Sequence, residues 1–271
     1  MAEPGAGPSP SPWQRAWRRA GVRRAAILLG LAALWQGYAL HLNDRLLFPT
    51  FSATLAALWA GVASGEILAR AWFSIHVLLL GYAAGIALAA LLVLLALGSQ
   101  LGADLLQTLT AMLNPLPAIA LLPLALIWFG LGNASLIFVL VDSVLWSVAL
   151  NTHAGFLAVS RTVRKVGRNY GLSGPRYVFR ILVPAALPSI LTGLRIGWAF
   201  AWRTMIASEL VFGVSSGSGG LGWYIYENKS ELNISAVFAG LFTVILIGLV
   251  VEHGVFETVE RRTVRRWGMQ H

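Results

Sequence analysis

The stretch WFSIHVLLLGYAAGIALAALLVLLAL, residues 72–97, decides the class of fold. It holds 26 residues without an aspartate, glutamate, lysine or arginine. About 20 apolar residues in a helix cross the hydrocarbon core of a bilayer. Because hydrocarbon offers no hydrogen-bond partners, the backbone N–H and C=O groups must pair within the segment, as they do in a helix. The stretch therefore predicts a transmembrane helix.

Five further apolar runs predict the same structure: residues 25–42, 105–130, 134–150, 187–212 and 235–251. Of the 271 residues, 57% are hydrophobic and only 11% are charged. Soluble domains carry about 25% charged residues, so lipid is the expected solvent for the excess apolar surface. We therefore expect an all-α integral membrane protein with six transmembrane helices.

The positions of the basic residues predict the orientation in the membrane. Three groups, at residues 15–24, 161–180 and 261–266, hold five, six and four of the 20 lysines and arginines. Basic residues accumulate in cytoplasmic loops and are attracted to anionic lipid. Both termini and the loop between the fourth and fifth spans are therefore expected in the cytoplasm. This bias explains the net charge of +9 without a nucleic-acid partner.

These patterns divide the chain into three parts. Residues 1–24 begin with a stretch rich in proline and glycine and are expected to form a disordered, basic cytoplasmic tail. Residues 25–256 form the six-helix membrane domain, and residues 257–271 form a basic cytoplasmic C-terminal tail.

The loop at residues 152–186 is long for a connection between two helices. Its glycines and prolines predict a short helix, a turn at Gly174-Pro175 and a second short helix before the chain re-enters the membrane. Its basic and aromatic residues equally allow an amphipathic helix lying on the lipid surface.

Charged residues inside predicted spans are candidates for function. A charge at the centre of a bilayer costs at least about 2.5–3.5 kcal/mol, so such groups face protein or water. Arg203 is a candidate for drawing anions into a pathway; the alternative is a structural ion pair with Asp142, or with Glu209 of a second copy. Arg195 lies near the cytoplasmic end of its span, where we expect it to reach towards the interface. The full set of pathway candidates is Asp142, Trp146, Asn151, Arg203 and Glu209.

Residues 114–123 interrupt the third span with Pro115, Pro117 and Pro123. A broken helix at membrane depth is tolerated where it is buried in protein or lines a cavity. The prolines therefore predict either a break beside a translocation pathway or a simple kink in a packing helix.

Several kinds of chemistry have no support in the sequence. The chain has no cysteine, no phosphate-binding loop of the Gly-rich Lys-Ser/Thr type, and no histidines at metal-ligand spacing. We therefore expect no catalytic residue, metal or cofactor in this chain, and no hydrolysis of ATP by it.

Several sequence motifs resemble those of a known transporter family. Gly171 is followed by nine residues and then Ile181-Leu182-Val183-Pro184. The accompanying segments are PAIALLPL (117–124), WFGLG (128–132), AALPSILTGLR (185–195) and SGGLG (218–222). Together they resemble the permeases of ATP-binding-cassette (ABC) importers, in the branch that imports aliphatic sulfonates, taurine and nitrate. The usual Glu-Ala-Ala at the start of the loop motif is replaced by Lys165, Val166 and Gly167.

The resemblance implies a type I ABC importer permease in the bacterial inner membrane that translocates a small anion. It implies a second permease copy, two ATPase subunits that bind ATP and magnesium, and an extracytoplasmic substrate-binding protein. The loop at about residues 155–186 would contact the ATPase. The residues expected to matter there are Gly171, Leu172, Ser173, Gly174, Arg176, Tyr177, Phe179 and Pro184. The main alternative function is an ion-coupled secondary transporter that uses Asp142 or Glu209.

Overall fold

The computed structural model describes residues 20–212 and 219–265. Most of the predicted N-terminal tail, the end of the predicted C-terminal tail and Ser218 of the glycine-rich segment lie outside these ranges. Two predicted boundaries shift. The first helix already begins at Ala20, and the last helix continues through residues 257–265. Residues 20–24 and 257–265 prolong the neighbouring helices because a continuing helix keeps the backbone hydrogen bonds satisfied.

The described residues form eleven principal helices joined by short connections and contain no strand, which confirms the all-α prediction for these ranges. In chain order they are α1 (Ala20–Leu42), α2 (Phe51–Ala63), α3 (Glu66–Gly98), α4 (Gln100–Leu113), α5 (Leu122–Phe129), α6 (Asn133–Ala158), α7 (Arg161–Asn169), α8 (Gly174–Ala185), α9 (Leu187–Phe212), α10 (Leu221–Ser230) and α11 (Ile234–Val250). Helix α8 contains a π-helical turn at Val178–Leu182, and further helical turns extend α11 to Arg265.

Within residues 20–212 and 219–265, four helices are individually long and apolar enough to cross a membrane: α1, α3, α6 and the extended α11. Two bent pairs bring the number of candidate spans to six. The first pair joins α4 to Ala118–Phe129 at an angle of 87°, and the second joins α8 to α9 at 78°. Five of the six predicted runs lie within helices, and the third, residues 105–130, extends across the first bent pair.

The third predicted span is broken rather than kinked. Helix α4 ends at Leu113, and a 3₁₀ turn at Ala118–Leu121 leads into α5. Pro115 and Pro117 have no N–H to donate to a helix, so a straight helix cannot pass through them. The chain turns almost at a right angle there, which excludes the simple kink.

Helix α6 lies at the centre of the fold, between α3 and α9. A Cβ atom added to Gly81 of α3 would lie 2.5 Å from the Cβ of Leu140, and one added to Gly85 would lie 2.8 Å from that of Val144. On the other side of α6, a Cβ atom added to Gly193 of α9 would lie 2.8 Å from the Cβ of Asn151. Small residues allow helices to approach closely where no hydrophobic effect drives them together in lipid. The glycines therefore fix the spacing of the three helices.

Two helices, α2 and α10, were not predicted. They have 13 and 10 residues, too few to cross a bilayer, so a search for spans passes over them. The side chain of Thr50 accepts a hydrogen bond from the N–H of Ala53 and caps the start of α2. Helix α10 begins within the glycine-rich segment at residues 218–222 and continues to Ser230.

Candidate functional site

The break in the third span borders a cavity of about 420 Å³. One wall is the non-helical backbone between α4 and α5, and the other walls come from α6 and α9. The lining residues are Asn114 to Ile119, Asp142, Ser143, Trp146, Ser147, Phe200 and Thr204. Irregular backbone at membrane depth thus coincides with a cavity, as predicted for a pathway.

Asp142 and Trp146, two of the predicted pathway residues, meet in this cavity. They lie one turn apart on α6, and the Trp146 Nε1–H donates a hydrogen bond of 2.8 Å to Asp142 Oδ1. Across the cavity, the hydroxyls of Ser143 and Thr204 lie 3.0 Å apart and join α6 to α9. The structure therefore places a carboxylate, an indole and several hydroxyls around one volume.

Asn151 and Arg203 lie outside the cavity lining. Asn151 Nδ2 donates to the carbonyl oxygen of Ser147 at 2.8 Å. Arg203 is exposed on α9, beside the cavity residue Thr204. The ion pairs formed within the described ranges do not include Arg203, and Asp142 is bonded to Trp146 instead. The alternative of an Arg203–Asp142 pair within one chain is therefore not formed.

Glu209 lies in a separate buried cluster. Only 3% of its surface is exposed. The Ser74 hydroxyl donates to its carboxylate, and the Gly222 N–H donates to Oε2 at 2.8 Å. The Leu221 N–H donates in turn to Ser74 Oγ at 2.9 Å. This network, which we call the outer cluster (Ser74, Glu209, Leu221 and Gly222), ties α3, α9 and the start of α10 together.

An ion pair lies beside the outer cluster. Arg70 of α3 pairs with Glu227 of α10 at 2.9 Å and donates to the carbonyl oxygen of Gly219 at 3.1 Å. Ser74 and Arg70 were not predicted as functional residues. Arg70 also lies 4.0 Å from Glu66, one turn earlier on α3, but the other partners of Ser74 and Arg70 lie 135 or more residues away in sequence, so no local pattern reveals the cluster.

The loop at residues 152–186 folds as helix, turn and helix, as predicted. Helix α7 ends at Asn169 and α8 begins at Gly174, so the turn precedes the predicted Gly174-Pro175 position. Gly171 has φ +71° and Gly174 has φ +54°, and a Cβ on either would meet nothing within 4 Å. These glycines are needed for their backbone conformation, which L-residues rarely adopt, and not for close packing.

The two short helices pack on each other through Gly167. A Cβ on Gly167 would lie 2.9 Å from Ile181 Cγ1 and 3.0 Å from the Tyr177 ring. The guanidinium of Arg164 donates to the carbonyl oxygens of Phe156 and Val159 at the end of α6. We call α7, the turn and α8 the elbow; these contacts hold it together and anchor it to α6.

The predicted ATPase-contacting residues divide by exposure. Gly171, Ser173, Gly174, Arg176 and Phe179 are exposed, whereas Leu172, Tyr177 and Pro184 are half-buried. The Tyr177 ring packs on Gly167, inside the elbow. Tyr170, which lies in the turn next to Gly171 and is 81% exposed, was not predicted as an ATPase-contacting residue.

Arg195 takes part in an ion pair instead of only reaching towards the interface. Its guanidinium pairs with Glu252 and, at 3.5 Å, with Glu260. Both carboxylates lie on the extension of α11. The beginning of α9, immediately after the bend from the elbow, is therefore fixed to the last helix.

Comparisons with known proteins agree with this arrangement. Residues 81–264 match the family model described as binding-protein-dependent transport system inner membrane component. The provisionally named aliphatic sulfonates transport permease of Escherichia coli K12 is 30% identical over 83% of this chain and 84% of its own. The taurine transport system permease protein TauC of the same organism is 30% identical over 85% of this chain and 70% of its own. The nitrate import permease protein NrtB of a Synechocystis strain is 34% identical over 60% of each chain.

The family assignment decides between the two functions considered from sequence. The matching family and these relatives are ABC permeases, so the ion-coupled secondary transporter is not supported. Permeases of this kind leave ATP hydrolysis to a separate subunit and receive substrate from a binding protein. The chain belongs to the family of binding-protein-dependent inner membrane transport components and is the multi-pass permease subunit of an ABC importer.

Proposed function

We propose that two copies of this chain form the membrane pathway for a small organic anion with a sulfonate or similar acidic group. In this proposal each copy contacts one ATPase subunit, which binds ATP and magnesium, and an extracytoplasmic binding protein delivers the solute. In this proposal the chain contributes no catalytic residue and binds no cofactor. The substrates named for the relatives, sulfonates, taurine and nitrate, support the anion class.

The observation that carries the proposal is the direct connection between the elbow and the cavity. Helix α8 runs into α9 with a bend of 78° and only Ala186 between them. Helix α9 then supplies Phe200 and Thr204 to the cavity lining. A displacement of the elbow therefore moves one wall of the cavity.

Packing makes the elbow suited to transmit force. Gly167 brings α7 into contact with Tyr177 and Ile181 of α8, and Arg164 binds the end of α6. Packed elements move as rigid bodies because closely packed interiors deform little. The exposed residues of the turn and of α8 are the proposed contact with the ATPase, on the cytoplasmic side together with both termini.

The outer cluster supports a proposal for the opposite side. Helix α10 is held at its start by Glu209 and Ser74 and along its length by the Arg70–Glu227 pair. It therefore presents a fixed surface, where we place the contact with the binding protein. In this arrangement Asp142, Trp146, Asn151 and Arg203 lie at or near the pathway, and Glu209 supports α10.

The test is uptake by the complete transporter together with co-purification of its ATPase. The permease is co-expressed with candidate ATPase and binding-protein subunits of the same organism, and organic sulfonates, taurine and nitrate are supplied in turn. Uptake should require both partner subunits. Uptake driven by a proton or sodium gradient in the absence of the ATPase would refute the proposal.

Substitutions in the elbow test the ATPase contact. Arg176→Glu and Phe179→Ala alter exposed side chains of α8 and should reduce both ATPase co-purification and transport. Arg262→Glu, an exposed arginine on the extension of α11, is the matched control and should leave co-purification unchanged. Equal recovery of ATPase from all three variants would remove the elbow from the contact.

A further inference from the structure

The cavity at the broken span has a distinctive charge. Asp142 is its one acidic residue, and none of the described side chains that line it is basic. Arg203 directly precedes the lining residue Thr204 on α9, but it is exposed and lies outside the lining. The importer is proposed to carry anions, yet the charged residue that lines its cavity is acidic.

The Asp142 carboxylate is oriented and incompletely bonded. Trp146 donates to Oδ1 at 2.8 Å, and within the described ranges Oδ2 has no hydrogen-bond donor. A carboxylate accepts several hydrogen bonds, so Asp142 can accept more from a solute. The indole of Trp146 and the ring of Phe200 also line the cavity, and aromatic faces attract cations.

An anion without a positive group is poorly suited to this volume. Two like charges repel more strongly in a site partly shielded from water than in bulk solvent. A protonated amine instead brings positive charge and three N–H donors, which match the free oxygen of Asp142. The lining hydroxyl of Ser147 and the amide of Asn114 offer neutral polar contacts for the rest of a solute.

We propose that Asp142 is a specificity-determining residue that binds the ammonium group of the solute, so that the cavity favours a small zwitterion over a simple anion. The proposal rests on the proposed import function and narrows its substrate class. The solute would carry an ammonium group for Asp142 and an acidic group, as in an amino-sulfonate. Oxyanions without an amine would be disfavoured in the cavity.

The absence of cysteine from the chain allows a direct measurement. Ser147→Cys places a single thiol in the cavity lining. The purified complete transporter is treated with 2-aminoethyl methanethiosulfonate, which is a cation, or with its 2-sulfonatoethyl counterpart, which is an anion. The mass of this chain reports the modification, and each rate is divided by that of a free thiol in water.

The proposal predicts that the cationic reagent reacts about tenfold faster or more after this correction, because Asp142 attracts one reagent and repels the other. Adding Asp142→Asn, which keeps an acceptor for Trp146, should bring the ratio close to one. In the Ser147→Cys protein, 2-aminoethanesulfonate should slow the labelling and ethanesulfonate should not. Ser230→Cys, exposed at the end of α10, is the control whose ratio Asp142→Asn should leave unchanged.

Three results would overturn the assignment: a ratio at or below one, a ratio unaffected by Asp142→Asn, or no reaction of the cavity thiol with either reagent. Uptake assays with and without the ATPase and the binding protein are made on the same preparation. If the thiol result fails while uptake still needs both subunits, only the role of Asp142 is lost. If uptake needs neither subunit, the proposed function fails independently.

Discussion

The Ser74 hydroxyl lies 2.8 and 2.9 Å from the two carboxylate oxygens of Glu209, although 135 residues separate them in sequence. Both side chains are almost fully buried. A buried carboxylate is tolerated only when hydrogen bonds replace its water. Here Ser74 and the Gly222 N–H supply them, so the charge within α9 serves to hold α10 in place.

Ser74→Ala is predicted to destabilise the protein by about 1–3 kcal/mol, because it leaves a buried carboxylate and the Leu221 N–H each short of a partner. The measurement is the thermal unfolding midpoint of the purified transporter. Ser208→Ala is the matched control. The Ser208 hydroxyl is likewise buried, on α9 rather than α3, but it has no hydrogen-bond partner in the described ranges. Its loss should therefore cost little stability. Equal midpoints for the two variants would argue against the outer cluster as a stabilising element.

Gly81→Ala is predicted to disturb the packing of α3 on α6. The new methyl group would lie 2.5 Å from Leu140 Cβ, so the helices must move apart at a cost of about 1–3 kcal/mol. Gly30→Ala, in α1, meets nothing within 4 Å and should be neutral or slightly stabilising. The yield and unfolding midpoint of the folded permease report both effects. A Gly81 variant as stable as the Gly30 variant would show that this close approach is not required.

The sequence predicted what depends on local pattern. Six apolar runs identified the candidate spans, and the prolines at 115 and 117 located the interruption of the third one, for which the sequence left a break and a kink open. Glycine and proline spacing identified the helix–turn–helix of the elbow, where Gly171 adopts a positive φ. Asp142 and Trp146 were singled out as an intramembrane charge and an aromatic residue, and the structure brings them together.

Other features depend on contacts that no local pattern encodes. The sequence offered both a pathway role and a structural pair for intramembrane charge, and only the fold shows Glu209 bonded to Ser74 and Arg195 paired with Glu252. Helices α2 and α10 are shorter than a span, so hydropathy does not distinguish them from loops. Tertiary packing decided these cases.

Arg203→Gln is predicted to weaken anion uptake while the transporter remains assembled. The side chain is exposed on α9 and forms no ion pair within the described ranges, so removing its charge breaks no pair there. Arg195→Gln makes the contrast, because it breaks the links to Glu252 and Glu260 and should lower the unfolding midpoint. Initial uptake rates and midpoints are measured for both variants. Disassembly of the Arg203 variant would instead support an ion pair with a second copy.

Gly167→Ala introduces the second alanine of the Glu-Ala-Ala motif that the loop resembles, yet we predict that it impairs transport. Alanine favours a helix over glycine by about 0.8–1 kcal/mol, which alone would stabilise α7. The added methyl group, however, would lie 2.9 Å from Ile181 Cγ1 and 3.0 Å from the Tyr177 ring. Relief of such overpacking typically costs about 1–3 kcal/mol, so the clash should outweigh the helix preference.

Val166→Ala separates the helix preference from the packing clash. It introduces the neighbouring alanine of the same motif without adding a methyl group between α7 and α8. Val166 is 45% exposed, so its truncation should leave the contact between α7 and α8 intact. ATP hydrolysis and uptake are measured together in the reconstituted transporter. Gly167→Ala should reduce uptake per ATP hydrolysed, because a displaced α8 passes less motion to α9, while Val166→Ala should retain the wild-type ratio. An unchanged ratio in the Gly167 variant would mean that the elbow accommodates the methyl group and that its tight packing is not what transmits force.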